Sequence, residues 1–192
     1  MAQASTITVN SILDAAQRIT QTVGYNGLSF RDVASAVGIK SASVHYHFPT
    51  KGHLGAAVAR RYADGLAAHF RQIDEGHADP LDALAAYVAT VRATLEHDGK
   101  MCLGGILAAE TDAIPHEVRA EVRRFIDLNV VWLADTLARA AGKPATGDDD
   151  RDHALALFAA MEGAMMIARG AGDFSRFDAM TAQFRRTGLL PR

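Results

Sequence analysis

The chain has 192 residues, 49% of them hydrophobic, a formal net charge of −2 and one cysteine, Cys102. That length suits one large domain or two small ones with a sizeable core. A single cysteine excludes an internal disulfide. With no run near the ~20 apolar residues of a membrane span and no secretory signal in Met1–Asn10, the expectation is a soluble cytosolic protein.

The charge is unevenly spread. Residues 1–52 hold Arg18, Arg31, Lys40 and Lys51 against Asp14 and Asp32, a net of +2, and the remainder carries −4. A mildly cationic head on an acidic body suits a protein whose first quarter meets a polyanion.

Apolar residues recur at helical spacing throughout, and no convincing alternating strand pattern occurs. Ile12, Ala15, Ala16, Ile19 and Val23 form a first stripe ended by Gly24, and Gly24–Gly27 reads as a turn. Ser29 can cap a short helix, Phe30–Val37, closed by Gly38. Ser41 can cap a second, Ala42–Phe48, stopped by Pro49. Thr50 can cap a long helix from Lys51 to about Glu75. Pro80 opens another, with Leu81, Leu84, Val88, Val91 and Leu95 on one face.

Asp98-Gly99-Lys100 breaks the pattern, and a short helix from Cys102 to Thr111 follows. Pro115 starts a long helix with one stripe at Val118, Val122, Phe125, Asn129, Trp132 and Thr136. A second stripe at Ile126, Val130, Leu133 and Leu137 predicts burial on two sides. Gly142–Asp150 reads as a polar, acidic loop. Helices near Arg151–Arg169 and Phe174–Arg186 end an all-α chain of about nine helices.

The functional signal is the run from Leu28 to Lys51. Two short helices meet at a tight turn, where Gly38 supplies the backbone freedom for a steep crossing. Val33, Ala34, Val37, Ile39, Val44 and Phe48 give the pair a shared apolar face. Such a unit can lay its second helix in a major groove. The outer face has DNA chemistry: Lys40, Ser41 and Ser43 for phosphates or base edges, Ala42 for a thymine methyl, and His45, Tyr46 and His47 as donors. Lys51 and Ser29 stand at helix starts, where phosphates bind favourably. Ser29 and Ser41 serve equally well as helix caps, and His47 as packing near Phe48.

No nucleophile elbow, Walker loop or His-Glu-x-x-His occurs, so no enzyme or cofactor is expected. His45 and His47, two apart on a helix, point to nearly opposite sides, and no metal site is expected.

The run Val-Gly-Ile-Lys-Ser-Ala-Ser-Val-His-Tyr-His-Phe-Pro-Thr-Lys51 resembles the operator-binding segment of TetR-family regulators, and the resemblance covers about the first 65 residues. It implies a helix-turn-helix domain over 6–66 and a ligand-binding and dimerisation domain over 67–192. It further implies a homodimer on double-stranded operator DNA that a small-molecule inducer releases.

In that family the last two helices pair with their mates. The matching faces here hold Leu155, Phe158, Ala159, Glu162 and Met166, and then Phe177, Met180 and Phe184; packing within one chain is the alternative. Tyr87, Trp132, Met161 and Met165 are pocket candidates or plain core. Cys102-Leu-Gly-Gly resembles a branch in which some members sense electrophiles through that cysteine. Cys102 near a helix start, with Lys100 close by, reads either as a reactive thiol or as a small buried hydrophobe.

Overall fold

The computed structural model describes residues 2–96, 100–144 and 148–192, with side chains from residue 9. Among these, nine α-helices and no strand occur. They are α1 (Ala2–Gly27), α2 (Phe30–Val37), α3 (Ser41–His47), α4 (Lys51–Gly76), α5 (Pro80–Glu96), α6 (Leu103–Ala109), α7 (His116–Ala140), α8 (Asp148–Ala171) and α9 (Ser175–Thr187). The expected break at Asp98-Gly99 lies outside the described residues.

The chain divides into two compact units: Met1–Asp64 with Leu103–Arg124, and Gly65–Cys102 with Phe125–Arg192. From the sequence, all of 67–192 is instead assigned to one domain. Residues 103–124, however, pack with the head. They are separated from it in sequence by two helices' worth of chain, so periodicity carries no sign of the association.

In the first unit, Ile12, Ala15 and Ala16 of the expected α1 stripe are buried. Val23 is 56% exposed, while Thr20, Gln21 and Tyr25 are buried in its place. Thr20 satisfies its hydroxyl on the Ala16 carbonyl at 2.8 Å. Gly24 leaves helical geometry at φ 77°, ψ 175°, where the sequence ends the first stripe, and helix continues beyond it to Gly27, where the sequence suggested a turn.

In the second unit, α5 buries Leu84, Tyr87, Val88 and Leu95, and Asp79, just before the opening Pro80, accepts from Leu81 N–H at 2.8 Å. The later part of α7 is buried on two sides, through Asn129, Trp132 and Thr136 and through Val130, Leu133 and Leu137. The polar members of the first stripe are satisfied locally: Asn129 donates to the Phe125 carbonyl at 2.9 Å and Thr136 to that of Trp132 at 2.8 Å. Burial without such partners would cost about 1–3 kcal/mol each. Phe70 stacks on Trp132 with ring centres 4.5 Å apart, and Asp74 accepts from both Trp132 Nε1 and Arg139 at 3.1 Å.

One expectation is corrected. Asp148, Asp149 and Asp150 form the first turn of α8 rather than a loop. Carboxylates there are favoured by the positive end of the helix dipole. By length and composition alone α8 is also apolar enough to cross a membrane, although it holds no unbroken run of ~20 apolar residues. Its Leu157, Phe158, Met161 and Met165 are nevertheless buried, and it packs on α9 and α5 as a core helix.

Candidate nucleic-acid interface

Helices α2 and α3 form the unit that the apolar pattern predicts. Val33 and Val44 are fully buried, with Leu28, Ala34 and Phe48 nearly so. Burying each valine contributes about 1.5–3 kcal/mol. Gly38 closes α2 at φ 77°, its N–H donating to the Ala34 carbonyl at 2.9 Å, and Ile39 N–H reaches the same carbonyl at 3.0 Å. A side chain at that φ would cost about 1–2 kcal/mol, so the turn depends on glycine.

Ser29 is the α2 cap. Asp32 N–H donates to its hydroxyl at 3.2 Å, and the hydroxyl donates back to the Asp32 carboxylate at 2.5 Å. Both capacities of Ser29 are therefore engaged within the helix start. Ser41 is not a cap: it is the first residue of α3, and Lys40 holds the cap position without a side-chain bond. Lys40 is extended, at φ −76°, ψ 145°, and Ser43 N–H closes the first turn on its carbonyl at 2.8 Å. The helix thus begins one residue earlier than the serine pattern suggests.

The face opposite the core presents Lys40, Ala42, His45 and Tyr46 as exposed side chains, with Ser41, Ser43 and His47 partly so. Tyr46 is 83% exposed. No acidic residue occurs in α3. His45 packs edge-on against Phe30 at 4.3 Å, and His47 against Tyr46 at 5.1 Å. The Phe30–His45 contact steadies the outer face of α3, and spacing alone did not reveal it.

Thr50 caps α4, accepting from His53 N–H at 3.1 Å. Lys51 turns back over the head. Its Nζ donates to the Asn26 carbonyl at 3.1 Å and lies 4.6 Å from the centre of the Tyr25 ring. Partial burial lowers the pKa of its ammonium, an effect that Glu110 opposes. Tyr25 is raised, chiefly by burial and then by Glu117.

The remaining candidates lie in the second unit. Cys102, Tyr87, Trp132, Met161 and Met165 are all buried there. Glu162, a dimer-face candidate from its spacing, instead faces this cluster. Its carboxylate accepts from the Cys102 thiol, burial raises its pKa, and its Oε2 has no hydrogen-bond partner among the described residues. Burial and the Glu162 and Cys102 charges likewise push the Tyr87 hydroxyl far up.

Of the dimer candidates, Leu155, Ala159 and Met166 are exposed, and Met180 and Phe184 are half-buried. Phe158 and Phe177 are buried within the protomer. Phe158 packs edge-on against Phe125 at 6.0 Å, so it holds the unit together from inside. Exposed Ile167 extends the α8 surface and was missed. Among the described residues, no group of three His, Cys, Asp or Glu is arranged to hold a metal ion.

Two family models divide the chain between them. Residues 12–58 match bacterial regulatory proteins of the tetR family, and residues 80–183 match the C-terminal domain of LmrA/YxaF-like transcriptional regulators. The chain belongs to the TetR family. The family's members are DNA-binding regulators rather than enzymes.

A TetR regulator from Legionella pneumophila is 30% identical, with a TM-score of 0.84 over 92% of this chain and 95% of that one. One from Agrobacterium tumefaciens is 28% identical, with a TM-score of 0.87 over 95% and 98%. A transcriptional repressor, KstR2 of Mycobacterium tuberculosis, is 29% identical over 86 residues, which are 45% of this chain and 43% of that repressor. The chain therefore matches less than half the length of this curated relative.

Proposed function

We propose that this TetR-family protein is a ligand-responsive repressor that binds a specific operator through α3 and leaves it when an inducer occupies the second unit. The observation that carries the reading is the outer face of α3: exposed Lys40, Ala42, His45 and Tyr46 on a helix without acids, held rigid by a buried core. Lys40, Ser41, Ala42, Ser43 and His45 read base edges, while Tyr46, His47 and Lys51 contact phosphates. Ser29 serves this surface through the α2 start that it caps.

The working form is a homodimer in the cytoplasm. Leu155, Ala159 and Met166, four and then seven residues apart on α8, share an exposed, largely apolar face that a second copy would cover. Met180 and Phe184 flank it on α9. Two heads on one duplex would read half-sites about one helical turn, ~34 Å, or a multiple apart.

The inducer reading rests on the cluster of Tyr87, Trp132, Met161, Met165, Cys102 and Glu162. Aromatic and methionine side chains suit an adaptable apolar ligand. The unpartnered Glu162 oxygen suits one that carries a hydrogen-bond donor. With its thiol engaged on Glu162, Cys102 reads as a ligand-contacting group, and alkylation is the second chemistry it offers.

Selection of duplexes from random-sequence DNA, followed by gel shift across a salt series, tests the reading. A sequence-selective complex of two protomers per site is expected. Uniform binding to every duplex would sink it.

A further inference from the structure

Two glycines bracket the helix-turn-helix, Gly24 before it and Gly52 after it, and each carries a carboxylate where a side chain would stand. Tyr25 N–H donates to Glu110 Oε2 at 2.5 Å, and a Cβ on Gly24 would overlap Glu110 Oε1. At the other end, a Cβ on Gly52 would overlap Glu117 Oε1 and approach the Pro115 ring to 3.1 Å. Glu110 follows α6 and Glu117 lies in the first turn of α7. Both belong to residues 103–124, which pack with the head, α6 against α1.

The two contacts are linked. Between them Lys51 spans the Tyr25 ring, reaches the Asn26 carbonyl and feels the Glu110 charge. Further along the same two helices, Arg60 bonds Glu121 at 2.8 Å and Arg124 bonds Asp64 at 2.5 Å. One carboxylate bonded to a backbone N–H leaves the head free to swivel about that point. Glu117, which pairs with its neighbour His116 at 3.0 Å, fills the space beside Gly52 and opposes that movement. The charge-assisted Glu110 bond is about twice as strong as a neutral one, and the glycine on each side permits the close approach.

We infer that Glu110 and Glu117 are positioning residues for DNA binding. They clamp the two flanks of the helix-turn-helix onto residues 103–124 and so fix the pose in which α3 meets the groove. The inference rests on the reading of α3 as the DNA-contacting helix. It also has a sign that simple electrostatics does not share. Removing an acid near a DNA-binding surface lessens repulsion of phosphate and tightens binding, whereas removing the clamp weakens it.

The test uses the full chain and a duplex that the native protein selects from random-sequence DNA. Glu110→Ala is expected to bind about tenfold more weakly, in keeping with the loss of one charge-assisted hydrogen bond. The slope of affinity against salt should stay unchanged, because no phosphate contact is removed. Glu110→Gln, whose amide oxygen can still accept from Tyr25 N–H, should stay near the native affinity or exceed it. Gly52→Ala, which pushes the Glu117 carboxylate aside, should also weaken binding even though alanine favours the helix. Hydrogen exchange at the Tyr25 amide should quicken in Glu110→Ala alone.

Glu110→Ala binding as tightly as the native chain, or more tightly, overturns the clamp. If Glu110→Ala lowers overall helicity, Gly52→Ala decides: native affinity there overturns it as well. A native chain that selects no sequence refutes the repressor reading instead, and the Tyr25 amide then still reports on the clamp.

Discussion

Lys51 Nζ lies 4.6 Å from the centre of the Tyr25 ring and 3.1 Å from the Asn26 carbonyl oxygen. The first residue of α4 thereby ties the end of α1 to the helix that follows the reading unit. An exposed cation over an aromatic face contributes about 0.5–1 kcal/mol. Lys51→Ala should therefore lower Tm modestly. It should also weaken DNA binding to a similar degree on every duplex and reduce the salt slope by about one phosphate contact. An unchanged slope in anisotropy titrations would assign Lys51 to the tie alone.

On the proposed reading, Lys40 and Ser43 meet base edges where Lys51 meets phosphate. Lys40 holds the cap position of α3, and Ser43 lies within its first turn. Substituting either by alanine should change the order of preference among duplexes, with about 1–3 kcal/mol lost at the affected base pair. Competition among single-base variants of the selected site measures this. A uniform loss across all variants would place them on phosphates.

Glu162 buries a carboxylate whose pKa burial raises, with partial relief from the Cys102 thiol. For an acid with a raised folded pKa, the folded state holds its proton more tightly than the unfolded chain. Stability falls as pH rises from the unfolded pKa, about 4.3, towards the folded one. Glu162→Gln should match the native Tm near pH 4 and exceed it at pH 7, the difference growing between. A constant difference across that range, measured by circular dichroism melts, would show that the charge is not the cause.

Cys102 is buried. Its alkylation by a maleimide should be slow in the native chain and fast in denaturant, because a buried thiol reacts through opening of the fold. Cys102→Ala, once an inducer is found, should retain part of the response. A full response in that variant removes the thiol from sensing.

On α8, Leu155 and Met166 are 48% and 58% exposed and fit an unpaired apolar face. A charge buried at a subunit seam costs several kcal/mol, so Met166→Glu should shift sedimentation from dimer to monomer and abolish tight operator binding. A dimer that survives in both Met166→Glu and Leu155→Glu would move the seam elsewhere.

How much of this was legible in the amino-acid order follows from distance along the chain. The reading unit was legible because all of its determinants are local. Gly38 sets one turn, Pro49 and Thr50 another, and Val33, Ala34, Val44 and Phe48 meet across a single turn. Even there the start of α3 was misplaced by one residue, since Lys40 takes the cap position without a side-chain bond. The long helices were also legible from their stripes, down to Asn129 and Thr136, whose polar groups bond within their own helix.

What lay beyond reach depends on partners far apart in sequence. Glu110 meets Tyr25 across 85 positions, and no periodicity encodes such a pairing. Glu162 follows the spacing of the α8 dimer face, and only its contact with the Cys102 thiol, far away in sequence, shows that it turns inward. Local order along the chain determined the helix-turn-helix. Tertiary packing decided what lies against its flanks, because close approach of a carboxylate to a glycine is a property of two segments and of neither alone.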